Sequence, residues 1–218
     1  MLNNQGSNVM DIGVLYKVIL FWGIFFITPG PVWVSVMEAT RRLSPSEIAQ
    51  FYFKVFFPVI STVQFTQALV CVAFIEVVSQ YFSQVDLLFY ILGGLYISYL
   101  AYKTIKSKQS NNAFELSFIN LAMIMMLSPK IWLLFPSGAA IADQLTQNTV
   151  TNALTFALSM VLVASIGFIA YALIGKLGTR LLKDNFSYLA FGLLLLFAIF
   201  LFNEAYQVGF DKFTVVKS

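Results

Sequence analysis

Phe25-Phe26-Ile27-Thr28-Pro29-Gly30-Pro31-Val32-Trp33 lies inside a run of apolar residues, 12–37, whose only charge is Lys17. The run is long enough to cross a bilayer as a helix, which takes about 20 apolar residues. The two prolines forbid a continuous one. Each lacks an N–H and clashes with the carbonyl four residues earlier, so the carbonyls of Phe25 and Ile27 lose their helical partners. A free carbonyl in hydrocarbon costs several kcal/mol, so such a break is tolerable only against protein or beside a water-filled cavity.

The rest of the chain fits a membrane setting. Its 218 residues are 59% hydrophobic and 11% charged, with a mean hydropathy of +0.82, against about 45–50% apolar and about 25% charged residues in soluble domains. Length is then best counted in crossings of roughly 20 residues, and there is room for about six. The formal charge of +3 is scattered between apolar stretches, which leaves no footprint for nucleic acid. Cys71 is the one cysteine and histidine is absent, so neither a disulfide framework nor a thiolate or imidazole metal site is expected. Residues 1–11 lack Lys and Arg, and no small-x-small cleavage pattern follows, so the N-terminus is expected to be retained.

Apolar runs bounded by charges and turn residues predict spans at 12–37, 51–75, 87–101, 118–142, 152–174 and 188–202. The expected fold is an all-α integral membrane protein of six transmembrane helices, one transporter domain over 1–218. Connections are short and polar, as in Arg41-Arg42-Leu43-Ser44-Pro45 and Lys106-Ser107-Lys108-Gln109-Ser110-Asn111-Asn112. Arg41, Arg42 and Lys54 flank the first connection, Lys103, Lys106 and Lys108 the third, and Lys176, Arg180 and Lys183 the fifth. The positive-inside rule makes these odd connections cytoplasmic and puts both termini outside, with Lys212 and Lys217 in the tail as a minor contrary signal.

The spans repeat. Phe51 matches Asn152, Leu87 matches Tyr188 and Pro29 matches Pro129, each about 100 residues apart, the scale of a three-span half. Pseudo-repeats at about 12–104 and 116–207 with odd numbers of crossings must lie in opposite orientation, the inverted-repeat plan of many secondary transporters. The second break, Ser128-Pro129-Lys130, is expected to free the carbonyl of Met125. Breaks in the first and fourth helices point to a transport path through Thr28, Pro29, Gly30, Pro31, Ser128, Pro129 and Lys130. Half-helices starting after Pro31 and Pro129 present free N–H groups to a carboxylate, and unwound carbonyls suit an ammonium group. The competing reading is that the prolines only kink helices.

Lys130 is the most deeply placed charge. It is positioned either to hold a substrate carboxylate or couple protons, or to snorkel to the interface. The acidic residues Glu38, Glu76, Asp143 and Glu204 fall near span ends, which favours a neutral zwitterion over a cationic cargo. Gln64, Gln67, Asn120, Ser159 and Ser165 are expected to make helix-to-helix hydrogen bonds, and Gly93, Gly94 and Gly192 to permit close packing. Trp22 and Trp33 define no clear interface belt.

Three stretches together resemble the LysE/RhtB family of amino-acid exporters: TPGP at 28–31, GGLYISYLAYK at 93–103 and LSPK at 127–130. Their order and spacing extend the likeness over essentially the whole chain. The resemblance implies a proton-motive-force-driven carrier of the inner membrane without a bound cofactor. It also implies that Pro29, Gly30, Pro31, Pro129 and Lys130 shape its path. Ser128 stands where the family usually has Asn, Arg41-Arg42-Leu43-Ser44 replaces a Gly-rich pattern, and Pro136 falls nearer Lys130 than the family's later proline.

The expected function is therefore secondary transport, exporting small amino acids from the cytoplasm by alternating access, with a homodimer plausible. An exporter of an inorganic cation and a non-transporting membrane scaffold remain alternatives. An enzyme is not expected, because the spans carry no nucleophile and base constellation.

Overall fold

Asp11 starts the first helix. Its carboxylate accepts from the N–H groups of Gly13 (2.8 Å) and Val14 (3.1 Å), which caps α1, Ile12–Ile27. Pro31 begins α2, Pro31–Thr40, at the one helical position where a missing N–H is harmless. Ser44 and Glu47 form a capping box that opens α3, Pro45–Ala73. Within α3, π-helical stretches at Tyr52–Phe56 and Ile60–Gln64 flank Pro58, the usual company of a proline that interrupts the helical ladder. Phe74 (φ −133°, ψ 42°) separates α3 from α4, Ile75–Gln109. Four helices follow: α5, Phe118–Met126, α6, Pro129–Ala142, α7, Thr149–Leu182, and α8, Phe186–Val215.

The computed structural model describes residues 10–28, 30–109, 115–182 and 185–215, and among these the chain is helical with no strand. The expectations for residues 1–9, Pro29, Ser110, Asn111, Asn112, Lys183 and Lys217 lie outside the described residues, as do the side chains of Glu76, Lys108 and Lys212.

Four helical segments are long and apolar enough to cross a membrane, within α3, α4, α7 and α8. Counting α1 with α2 and α5 with α6 as single bent spans raises the number to six. The surface confirms which solvent they face. Along α7, Leu158, Leu162, Ile166, Ile169 and Leu173 are all 56–61% exposed, a continuous apolar stripe at helical spacing that water would not tolerate. The opposite stripe, Phe156, Met160, Ala164, Phe168 and Ala172, is buried. The protein is accordingly a multi-pass membrane protein.

The two bent pairs turn by nearly equal angles, 65° between α1 and α2 and 64° between α5 and α6. Packing follows the same correspondence. Exchanging α1–α2 with α5–α6, α3 with α7 and α4 with α8 maps the main contacts onto one another. Thus α2 on α8 answers α6 on α4, and α1 on α7 answers α5 on α3, while α3 meets α7 and α4 meets α8. The core begins at Trp22, whose ring centroid lies 4.5 Å from that of Phe156 and 5.0 Å from that of Phe135. Its indole N–H donates to the Phe156 carbonyl at 3.1 Å, so α1, α6 and α7 meet at one aromatic knot.

Several boundaries differ from the sequence reading, among them the start of the second span at Pro45 and the end of the third at Gln109, which makes Lys103 and Lys106 helical. The polar stretch after residue 75 is no connection: the turn sits at Phe74, and α4 continues through it. The fifth span extends to Leu182, so Lys176 and Arg180 are helical. The last continues to Val215, well past Phe202. In each case a hydropathy boundary was drawn at the first charged or polar residues, whereas helical hydrogen bonding continues wherever the backbone is satisfied.

Candidate functional site

The end of α1 is a test of bookkeeping, because its last four carbonyls, from Ile24 to Ile27, have no intrahelical partner. All four find one. The Ile24 carbonyl accepts from the Thr28 N–H (3.3 Å) and hydroxyl (2.9 Å). The Phe25 carbonyl, which Pro29 deprives of a donor, accepts from the Lys130 ammonium at 2.7 Å, and that group also reaches the Thr28 carbonyl at 3.2 Å. The Phe26 and Ile27 carbonyls share the single proton of the Tyr171 hydroxyl, at 3.2 and 3.0 Å. Tyr171 in turn stacks on Trp33 with centroids 4.5 Å apart and planes 10° apart.

Lys130 therefore serves as a cap on the broken first helix, delivered from the second break. Its ammonium lies 4.4 Å from the Phe25 ring centroid, so cation–π attraction adds to the hydrogen bonds and to the negative end of the α1 dipole. The Lys130 tip is held by two backbone carbonyls of the first break. A lysine has three N–H donors, of which two are engaged.

The second break closes more of its own ladder. The Met125 carbonyl, expected to be free, accepts a long bond from the Ser128 N–H at 3.4 Å. The Met126 carbonyl accepts from the Trp132 indole at 2.8 Å. A Cβ on Gly93 would lie 2.7 Å from the Leu127 carbonyl, so glycine is what lets α4 approach this break. Gly94 faces the Phe202 ring in the same way, but Gly192 has nothing within 4 Å, and close packing does not explain it.

Both breaks line one cavity of about 540 Å³. Thr28, Gly30, Pro31, Ser128, Pro129 and Lys130 all contribute to its wall, so the structure brings together every proposed path residue except Pro29, which lies outside the described residues. The N-terminal residues of α2 and α6 line it, and no side chain caps either helix, at Gly30 or at Ser128. Gly30 has extended geometry (φ −148°, ψ 178°) and open space where a side chain would project.

Two further wall residues are Glu204 and Gln64. Glu204, expected near a span end, lies within α8 and lines the cavity with Leu196, Phe197, Phe200 and Leu201. That spacing is one continuous helical stripe, the signal by which it could have been found. Gln64 was given a helix-to-helix hydrogen bond, yet its side-chain oxygen is buried without a partner, as are both amide atoms of Gln67 and the Ser35 hydroxyl. The bonding expected of other polar residues does occur: Tyr96 donates to Asn120 and Tyr52 to Ser165. Ser159 bonds only to the nearby Phe156 carbonyl.

Glu38 does not face the cavity. Its carboxylate pairs with Arg41 at 2.9 Å and accepts from Ser187 at 2.9 Å, while Arg41 donates to the same hydroxyl at 2.6 Å. This buried cluster ties the end of α2 to the start of α8. Among the described residues no group of three or more His, Cys, Asp or Glu side chains is placed to hold a metal ion.

Comparison with protein-family models, with curated proteins and with solved structures finds no match to this chain.

Proposed function

We propose that the protein is a secondary transporter that exports amino acids from the cytoplasm, a carrier of the LysE/RhtB type. The observation that carries this reading is the meeting of two proline-broken spans at one cavity. Irregular backbone in a membrane belongs where it lines such a space, and paired breaks in two halves are the usual seat of a transport site. The matched bends and the exchange of helix contacts support six spans arranged as two inverted three-helix repeats. The distribution of Lys and Arg supports cytoplasmic odd connections and both termini outside an inner membrane.

The chemistry divides by pole. The uncapped N–H groups at the start of α2, with the remaining donor of Lys130, receive the substrate carboxylate. The freed carbonyls of α1 are occupied by Lys130 and Tyr171, so the substrate ammonium turns to side-chain acceptors, of which Glu204 is the charged one in the wall. Rocking of the two halves about the cavity exposes it alternately to each side, with protons as the coupling ion.

Cells loaded with a dipeptide mixture and assayed for free amino acids outside, with and without this protein, test the reading. Raised efflux of at least one amino acid supports it, and unchanged efflux of every one defeats it. Orientation has its own test: a reporter fused after Ser218 that is active only in the cytoplasm overturns the assignment of the termini.

A further inference from the structure

Gln64 is 2% exposed, lines the cavity, and has a side-chain oxygen with no hydrogen-bond partner. A buried acceptor left unpaired costs about 1–3 kcal/mol, so a turn of the Gln64 side chain that brings this covered oxygen to the cavity, where a ligand's donor can complete it, is favoured. It does not stand there by accident of one turn. Phe56, Ile60 and Gln64 form a single wall stripe of α3, and the π-helical stretch Ile60–Gln64 ends at Gln64, a distortion frequent at functional sites.

The remainder of the wall limits what the ligand can be. About 540 Å³ is the volume of roughly eighteen water molecules at about 30 Å³ each. The wall is mostly apolar, with Ile97, Leu133, Leu196, Phe197, Phe200 and Leu201 among its residues. A glycine-sized solute would leave that apolar wall wet, whereas each apolar group that fills it is driven there by about 25 cal/mol per Å² removed from water. Charge narrows the choice again. Lys130 and Glu204 bring formal charges that cancel, so a cargo with a surplus positive charge would have no counter-ion.

We infer that the cargo is a neutral amino acid with a bulky aromatic or branched apolar side chain, its ammonium group received by the Gln64 side-chain oxygen. The inference rests on the transport reading and names the cargo of the same cavity. Cargo and site fit together: carboxylate at the start of α2, ammonium at Gln64 and Glu204, and apolar body against α4, α6 and α8.

The test is direct binding to the purified protein in lipid nanodiscs, followed by calorimetry and by the fluorescence of Trp33, a wall residue. The probes are L-phenylalanine, L-leucine, glycine, L-lysine and 3-phenylpropanoate, which lacks the ammonium group. L-Phenylalanine or L-leucine should bind at least about tenfold more tightly than glycine or L-lysine. Gln64→Leu should weaken L-phenylalanine about tenfold, the equivalent of one hydrogen bond, and leave 3-phenylpropanoate within about twofold. Gln64→Glu, which keeps an acceptor, should hold L-phenylalanine within about threefold and guards against a Leu variant that does not fold. Glycine or L-lysine binding as tightly as L-phenylalanine overturns the cargo class and leaves amino-acid transport standing. Equal weakening of both phenyl compounds by Gln64→Leu, or loss of L-phenylalanine binding in Gln64→Glu, overturns the ammonium contact. No binding by any amino acid overturns the transport reading itself.

Discussion

Replacing Lys130 with methionine removes the ammonium while keeping an unbranched stem of similar length, and so isolates the cap on α1. Two hydrogen bonds disappear, a short one to the Phe25 carbonyl (2.7 Å) and a longer one to the Thr28 carbonyl (3.2 Å), together with the 4.4 Å approach to the Phe25 ring. Hydrogen bonds from a charged donor are worth about 1.5–3 kcal/mol, and the ring adds about 0.5–2 kcal/mol. Against this, removing a partly desolvated charge returns some of its solvation cost, which is limited because Lys130 is only half-buried. The expected net loss is about 2–4 kcal/mol. Glutamine, which can still donate to a carbonyl, should restore about half of it. The assay is reversible unfolding of the purified protein in mixed micelles, with the exposed Lys54 changed to methionine as a control expected within about 0.5 kcal/mol of the parent. A Lys130→Met protein as stable as the control would refute the capping role, and with it the argument that the two breaks depend on each other.

Tyr171→Phe keeps the stack on Trp33 but strips the hydroxyl from the Phe26 and Ile27 carbonyls, and should cost about 1–2 kcal/mol in the same unfolding assay. Gly175→Ala puts a methyl 2.7 Å from the Met37 carbonyl, and Gly93→Ala puts one 2.7 Å from the Leu127 carbonyl. Each should destabilise by about 1–3 kcal/mol, whereas Gly192→Ala, which meets nothing within 4 Å, should be neutral or stabilise by up to about 1 kcal/mol. Glu38→Leu leaves Arg41 as a buried cation and should cost about 3–5 kcal/mol, most of it recovered when Arg41→Leu is added, as a double-mutant cycle would read out.

What was legible in the sequence was whatever proline and hydropathy control locally. Pro31 and Pro129 had to break their spans because the defect lies in the residue itself, and the apolar runs had to be helical because hydrocarbon accepts no unpaired backbone. The donors that repair the break were not legible. Lys130 and Tyr171 reach α1 from more than a hundred residues away in sequence, and only packing decides which donor arrives. That Glu204 lines the cavity was not legible for a different reason: a hydropathy boundary at the first charge cuts off a helix whose inward stripe continues past it. Gln64 looked like an ordinary helix-packing residue, since an unpaired amide is a property of its surroundings and not of its spacing. Gly93 and Gly192 read alike in sequence, yet only the first has a carbonyl against it.

The claim on which everything turns is that the two interrupted spans open onto an aqueous cavity. Substituted-cysteine labelling measures that directly, in a Cys71→Ala background so that the introduced thiol is the only one. Gly30→Cys, at a wall position with open space beside it, is compared with Leu162→Cys on the 61% exposed apolar face of α7, both in lipid nanodiscs with a charged, membrane-impermeant maleimide. The Gly30→Cys thiol should be alkylated while that of Leu162→Cys stays unreacted. A Gly30→Cys thiol as inert as the lipid-facing one would contradict the account.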